Sequence, residues 1–144
     1  MTAARRAFLA GTLILLLGGP LQLISHVSGR NEAPVDPTEA QLRGLMEGYT
    51  RDFMGVTRSY RDLYDGFGLS FAVLVLLAGL LNLMVLRLAG EDARILRPVS
   101  LVNVGCLAVL AVLSAVYMVP PPAFMFLAAS ASFGIAFLVM DTKP

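Results

Sequence analysis

His26 is the single histidine of the chain, and two aspartates, Asp62 and Asp65, stand just before a long apolar stretch. An imidazole beside a carboxylate can take up and release protons near neutral pH, as general acid–base catalysis requires. If the helices that carry these residues pack side by side, His26 can meet Asp62 or Asp65. These three are therefore the candidate catalytic residues.

The neighbouring residues predict a ligand-binding site as well. Gln22 precedes His26 by four positions, which places both on one face of a helix, and tyrosines flank the two aspartates. The candidate ligand-binding residues are His26, Gln22, Tyr60, Tyr64 and Phe67. A structural interpretation of the histidine stays open, in which His26 caps the end of its helix or bonds a loop carbonyl.

The composition indicates an integral membrane protein. Of 144 residues, 57% are hydrophobic and 15% are charged, and the mean hydropathy is +0.75, well above that of soluble domains. The net charge of +1 offers no basic surface for nucleic acid, so we expect the lipid bilayer as the partner. One cysteine, Cys106, and one histidine provide neither a disulfide nor a cluster of metal ligands. We therefore predict no metal and no cofactor.

Four apolar runs are long enough to cross a hydrocarbon core of about 30 Å as helices. They comprise residues 7–28, 66–88, 99–119 and 123–140. The predicted fold class is all-α, a four-transmembrane-helix bundle in a single membrane domain. The three prolines 120–122 are expected to form a turn that continues no helix. Arg5 and Arg6 also suggest an export signal, but no clean cleavage site follows, and we expect the first run to remain as a helix.

The polar segment between the first two runs is predicted to be an amphipathic helical cap over residues 37–65. Residues 36–39 make a helix start, and apolar residues then recur at steps of three and four. Because an unbroken helix of this length would extend about 43 Å, we expect a break near Gly48 or Gly55. The apolar stripe should face inward. The other face carries four i,i+4 charge pairs, namely Glu39–Arg43, Glu47–Arg51, Arg58–Asp62 and Arg61–Asp65.

The distribution of basic residues predicts the orientation of the chain in the membrane. Four spans put both termini on one side of the membrane, and the flanks on that side are denser in arginine and lysine than the long first loop. The positive-inside rule then predicts cytoplasmic termini and a periplasmic or extracellular first loop. The predicted location is the inner (plasma) membrane of a bacterial cell.

Polar and small residues within the spans predict helix–helix contacts. In an antiparallel pair of the second and third spans, Asn82 faces Asn103, so the two amides can bond each other. In the fourth span, small residues recur every four positions, which lets a neighbouring helix approach closely. These residues are Ala128, Ser132 and Ala136. The neighbour is either another helix of the bundle or a second copy of the chain.

Residues 62–69 read Asp-Leu-Tyr-Asp-Gly-Phe-Gly-Leu, and a first run with Gly18 and His26 precedes them. At these residues the chain resembles a group of small bacterial four-helix membrane proteins of uncharacterised function. The resemblance covers most of the chain in layout. It implies the four-span topology and marks His26, Asp62 and Tyr64 as positions of interest, but it implies no activity, cofactor or partner.

Two hypotheses for function follow from these residues. The first is a non-catalytic membrane protein that binds a lipid, an apolar small molecule or a partner subunit at its outer polar cap. The second is a membrane-embedded enzyme of the isomerase or cyclase kind, in which His26 and Asp62 or Asp65 act as acid–base groups on a lipid-soluble substrate. A transporter is disfavoured, because no charged residue lies deep within a span.

Overall fold

Helices and one β-hairpin make up the chain over residues 2–140, which the computed structural model describes. The elements in chain order are α1 (Ala3–Asn31), α2 (Pro37–Gly48), β1 (Thr50–Phe53), β2 (Val56–Ser59), α3 (Tyr60–Ala89), α4 (Ala93–Tyr117) and α5 (Pro120–Val139). The helices α1, α3, α4 and α5 are long and apolar enough to cross a membrane. The prediction of four long apolar helices is thus confirmed.

All four of these helices begin earlier than predicted. In α3 a polar cap extends the first turn, and in α5 prolines do so. α3 begins at Tyr60 instead of residue 66. The Ser59 hydroxyl accepts a bond from the Asp62 N–H, and the Asp62 carboxylate accepts one from the Ser59 N–H, both at 3.0 Å, which is a capping box. α5 begins at Pro120. The expectation that the prolines form only a turn is therefore wrong, since the first turn of a helix needs no proline N–H.

Aspartate side chains also start α4 and α2. Asp92 accepts a bond from the backbone N–H of Arg94 at 2.9 Å, so α4 begins ahead of the predicted position 99. In α2, Asp36 accepts a bond from the N–H of Glu39 at 2.8 Å, which confirms the predicted helix start. α2 ends at Gly48, one of the two glycines where a break was expected.

A β-hairpin replaces the second part of the predicted helical cap. β1 and β2 pair antiparallel, with Thr50 opposite Ser59 and Phe53 opposite Val56. The prediction of helix over residues 37–65 is wrong for this part. Threonine, valine and aromatic side chains favour extended backbone, and their spacing happens to match the three-and-four steps of a helix as well.

A two-residue turn closes the hairpin. Met54 and Gly55 have φ angles of 54° and 84°, the left-handed pair that a tight hairpin turn requires. The side chain of Asp52 accepts a bond from the N–H of Gly55 at 2.8 Å, which holds the turn. One step further from the turn, Arg51 stands opposite Arg58.

The apolar stripe of this segment does not pack inward. α2 has no buried residue, and Tyr49, Phe53 and Phe67 are 51%, 45% and 76% exposed. The predicted stripe is therefore not continuous, because the hairpin interrupts the helical face that would have carried it, and its α2 part, Leu42 and Met46, lines a cavity.

Packing contacts divide the chain into two compact units, one of Met1–Gly18 with Val75–Pro144 and one of Gly19–Leu74. In the first unit, segments of all four long helices contact one another. The rings of Phe8 in α1 and Phe133 in α5 meet edge to face with 5.0 Å between centroids. Both rings are fully buried, so this contact forms part of the unit's core.

Close backbone approach and a hydroxyl bond join further helices of the first unit. A Cβ on Gly79 of α3 would lie 2.9 Å from the backbone nitrogen of Leu16 in α1, so only glycine permits this approach. The Ser130 hydroxyl of α5 donates to the carbonyl of Val104 in α4 at 3.1 Å. Small side chains thus set the helix spacing here.

An amide pair connects α3 and α4 in the same unit. Asn82 Nδ2 donates to Asn103 Oδ1 at 3.1 Å, and Asn103 Nδ2 donates to Asn82 Oδ1 at 2.8 Å. Each Nδ2 also donates to the carbonyl four residues earlier, that of Ala78 or Val99, at 2.9 Å. The predicted pairing of the two asparagines is confirmed.

Replacement of one asparagine should destabilise the protein, because it leaves the other amide without its partner. We expect Asn82→Leu to lower the free energy of unfolding by about 1 kcal/mol, measured as a shift of the thermal midpoint in mild detergent. The double variant Asn82→Leu with Asn103→Leu should recover part of this loss, since no buried amide is then unpaired. A double variant less stable than the single one would contradict this account.

The small residues of α5 only partly match the predicted contact. The buried face comprises Pro122, Phe126, Ala129, Ser130, Phe133 and Ala136. Ala136 is thus in the core, whereas Ala128 is exposed and the Ser132 hydroxyl donates to the Ala128 carbonyl of its own helix at 2.9 Å. The repeat is not a continuous packing stripe within the described chain, and its contact with a second copy stays a prediction.

Candidate functional site

His26, near the end of α1, lies beside Asp65 in the second turn of α3. His26 Nε2 is 3.3 Å from Asp65 Oδ1, and the two side chains are 9% and 8% exposed. The distance is that of an ion pair, but the geometry is not that of a hydrogen bond, and neither atom bonds another group in residues 2–140. The structure thus brings two of the three candidate catalytic residues together, while their catalytic role stays a prediction.

Two arginines share the carboxylate of Asp65. Its Oδ2 lies 3.3 Å from Nε of Arg30 in α1 and 3.4 Å from Nε of Arg61 in α3. The second contact is the predicted i,i+4 pair. Two guanidinium groups therefore face one buried carboxylate, and Arg30 is also within electrostatic reach of the exposed Asp62 carboxylate.

The His26 ring packs against one turn of α3, between Tyr64 and Gly68. A Cβ on Gly68 would lie 2.5 Å from Cε1 and 2.6 Å from Nδ1 of His26, so the ring rests where a side chain at position 68 would be. The Tyr64 ring lies alongside, with 5.6 Å between ring centroids and 36° between planes. The absence of a side chain at Gly68 is what allows the imidazole to reach Asp65.

Gly68→Ala should displace the imidazole, because real Cβ atoms do not approach a ring to 2.5 Å. We expect a loss of about 1–3 kcal/mol of stability from overpacking and a clear change in the ring chemical shifts of His26. Since the chain has one histidine, labelled histidine gives one set of NMR signals. Gly66→Ala is the control, since no atom lies within 4 Å of its Cβ position. Equal spectral changes in both variants would argue against the contact.

A cavity of about 470 Å³ opens beside this cluster. Its lining combines charged side chains with apolar ones from α2. The lining residues are His26, Gly29, Arg30, Glu32, Glu39, Leu42, Arg43, Met46, Arg61, Tyr64 and Asp65. The cavity therefore has a charged inner end and an apolar wall.

Arg43 ties α2 to the end of α1 and so holds this wall in place. Its Nη2 lies 2.6 Å from Glu39 Oε1, and its Nη1 donates to the backbone carbonyl of Glu32 at 2.6 Å. The other oxygen of Glu39 accepts a bond from the N–H of Val35 at 2.7 Å. The Val35 N–H and then the Arg43 guanidinium hold the pKa of Glu39 below its ordinary value. The predicted pair of Glu39 with Arg43 is confirmed.

Acidification should loosen this wall. Because the pKa of Glu39 is lower in the folded protein, the carboxylate stabilises the start of α2 at pH values above its unfolded pKa, and this stabilisation is lost as the pH falls through the folded pKa. We expect faster hydrogen exchange of the Val35 amide below that pH. In Glu39→Ala, which removes the acceptor of the Val35 N–H, exchange should be fast at every pH after correction for intrinsic rates. A protected Val35 amide in that variant would contradict the assignment.

Asp62, the third candidate catalytic residue, has a different role. Its carboxylate belongs to the capping box with Ser59 and is not the carboxylate that meets His26. From the sequence alone, either aspartate could pair with His26. The N3 position of α3, where a side chain can reach back to the helix start, explains why Asp62 turns away and Asp65 is left to pair with the imidazole.

Of the five predicted ligand-binding residues, two line the cavity, His26 and Tyr64. The Tyr60 ring packs against a tyrosine ring at the start of the hairpin, with 5.2 Å between centroids. Phe67 is 76% exposed, and Gln22 is half-buried outside the lining. The structure does not bring these three to the cavity.

Sequence reasoning misses the arginines of the cavity. Arg30 follows His26 by four positions, so the two lie on one helical face, and this spacing was a usable signal. For Arg61, the sequence predicts only an i,i+4 pair with Asp65 on a solvent-exposed face. For Arg43 no comparable signal exists, because its place depends on how α2 lies against the end of α1.

No protein-family model matches the chain, and neither the curated proteins nor the solved structures contain a significant match. Within residues 2–140, no group of three histidine, cysteine, aspartate or glutamate side chains could hold a metal ion. The chemistry of the cavity is thus defined by the side chains described above.

Proposed function

We propose that this protein is a small multi-pass membrane protein that binds an amphiphilic ligand, a lipid or an apolar small molecule with a polar end, in the cavity beside His26 and Asp65. One observation carries the proposal. A charged cluster, nine-tenths buried at His26 and Asp65, opens into a cavity whose opposite wall includes Leu42 and Met46. A ligand with a polar end and an apolar body satisfies both parts.

The surfaces of the long helices support a membrane location. Large apolar side chains are exposed along them, such as Leu17 at 71%, Leu74 at 62% and Leu138 at 79%. Contact of such side chains with lipid chains costs no free energy, whereas their exposure to water is unfavourable. The four helices are then the transmembrane spans of the protein.

The proposed orientation has cytoplasmic termini and an outer first loop in the inner membrane, because basic residues are denser on the side of the termini. Gly48, at the end of α2, has no atom within 4 Å of its Cβ position. In a Cys106→Ala background, Gly48→Cys should therefore react with an impermeant thiol reagent in intact cells whose outer membrane has been made permeable. Reaction only after lysis would reverse the orientation.

The ligand proposal is tested by blocking the cavity. Met46→Trp places a bulky ring in it, whereas Leu45→Trp adds the same ring at a neighbouring residue that is 63% exposed and outside the lining. Native mass spectrometry from mild detergent should show a bound amphiphile on the wild type and on Leu45→Trp, and none on Met46→Trp. Equal retention by both variants would place the ligand elsewhere. A partner subunit or second copy instead of an amphiphile would overturn the proposal.

A second candidate function is a membrane-embedded isomerase or cyclase, favoured by the 3.3 Å approach of His26 Nε2 to Asp65 Oδ1. His26 would be the acid–base group, and Asp65 would orient the imidazole. Such an enzyme exchanges a carbon-bound proton of its substrate with solvent. Incubation with total membrane lipid in D₂O should then deuterate one lipid class with the wild type but not with His26→Asn. No deuteration by the wild type would rule out this function on those lipids.

A further inference from the structure

The charges around the cavity are unevenly matched. Arg43 is neutralised by Glu39 at 2.6 Å, but Arg30 and Arg61 share the single carboxylate of Asp65. Asp62 adds a second carboxylate within electrostatic reach of Arg30, but it is exposed and lies outside the lining, so at the cavity itself two guanidinium groups face one buried carboxylate. Glu32, the remaining carboxylate of the lining, belongs to an exposed residue just beyond the end of α1, where water screens its charge.

The terminal Nη donors of Arg30 and Arg61 make no hydrogen bond within residues 2–140. Both contacts to Asp65 are made through Nε. The Nη groups are part of the planar fork with which arginine binds phosphate or carboxylate oxygens. Asp65 thus holds the two guanidinium groups near each other without occupying their forks.

We propose that the polar group of the ligand is an oxyanion, of which phosphate is the simplest, and that Arg30 and Arg61 bind it together. This inference rests on the proposed function, since it specifies the ligand of that same cavity. Asp65 acts as the positioning residue: it offsets one guanidinium charge and fixes both side chains at the cavity. His26 lies beside this group and would add a further positive charge when protonated.

A pair of lipids that differ only in the phosphate provides the test. Tail-labelled phosphatidic acid and diacylglycerol with the same acyl chains would be titrated into the full-length protein in detergent, with fluorescence anisotropy as the readout. We expect phosphatidic acid to bind about tenfold tighter or more, and the difference to shrink at high salt. Inorganic phosphate, titrated separately by calorimetry, distinguishes a lipid headgroup from a soluble anion.

Four variants change one charge each. Arg30→Gln and Arg61→Gln should each weaken phosphatidic acid binding about tenfold, and Glu32→Gln should strengthen it, because it removes a competing negative charge. Arg51→Gln is the matched control, since Arg51 is exposed on the hairpin and lies outside the lining. Diacylglycerol affinity should be the same in all four, which shows that the cavity is intact in each variant.

The outcomes separate the inference from the proposed function. If both lipids bind equally and the arginine variants change nothing, the oxyanion inference is wrong while amphiphile binding stands. If inorganic phosphate binds through Arg30 and Arg61 and neither lipid binds, the oxyanion inference stands and the proposed amphiphile is wrong. If neither lipid nor phosphate binds, both are wrong.

Discussion

Asp65→Asn should lower the free energy of unfolding by about 3 kcal/mol. The substitution leaves Arg30, Arg61 and His26 in place and removes the one carboxylate that they share, whose side chain is 8% exposed. Removing one partner of a buried ion pair leaves uncompensated charge, which costs far more than the pair itself contributes. The expected loss is at the low end of the usual range, because Arg30 is 56% exposed and water screens its charge.

The measurement is a denaturation curve in mixed micelles of mild detergent and sodium dodecyl sulphate, followed by circular dichroism. Asp62→Asn is the matched control, three residues earlier in the same helix. Asparagine keeps a side-chain oxygen that can accept the Ser59 N–H bond, so this variant should lose less than about 1 kcal/mol. If the two variants unfold at the same detergent composition, the cluster around Asp65 does not hold the helices together.

Gly79→Val should be the other strongly destabilising substitution. A Cβ at this position would lie 2.9 Å from the backbone nitrogen of Leu16 and 3.0 Å from two atoms of its side chain. Flexible side chains can move away from an added methyl group, but a helix backbone cannot do so without displacing the helix. We therefore expect a loss of about 3 kcal/mol or more, at the upper end of the cost of overpacking.

Gly105→Val separates this contact from the general effect of valine in a helix. Gly105 lies in α4, and no atom is found within 4 Å of its Cβ position. Both variants replace a helical glycine with the same β-branched residue, so the difference between their thermal midpoints reports the contact with Leu16. Similar midpoints for the two variants would mean that α1 and α3 can separate at little cost.

The long helices could be predicted because the length of an apolar run is itself the physical requirement for a span. The pair of Asn82 and Asn103 could be predicted for a related reason. Two antiparallel helices joined by a short link have a definite register, so the sum of the two positions identifies residues that face each other. The approach of His26 to Asp65 could be predicted for a different reason: both residues lie where an apolar run meets the polar first loop, so helices that pack side by side can bring them together.

The hairpin could not be predicted from the same pattern. Apolar residues between Tyr49 and Tyr60 satisfy the spacing of a helix, and Met54 with Gly55 gives only a short local signal for a turn. In the structure, Met54 and Gly55 form the turn of a hairpin, and the helical spacing is not realised. The cavity was missed for a different reason: its lining comes from three helices, and the position of α2 relative to α1 depends on Arg43 bonding a backbone carbonyl, which no spacing rule contains.

The opposed arginines of the hairpin bear on pairing between copies of the chain. In a sheet of two strands, each strand has a free edge whose N–H and C=O groups can template pairing with another chain. Arg51 opposite Arg58 places two like charges side by side, which weakens the hairpin itself. A second hairpin that docked on either edge would bring two more guanidinium groups to the same place. We therefore expect the charge that disfavours this cross-strand pair also to disfavour edge-to-edge pairing of two hairpins.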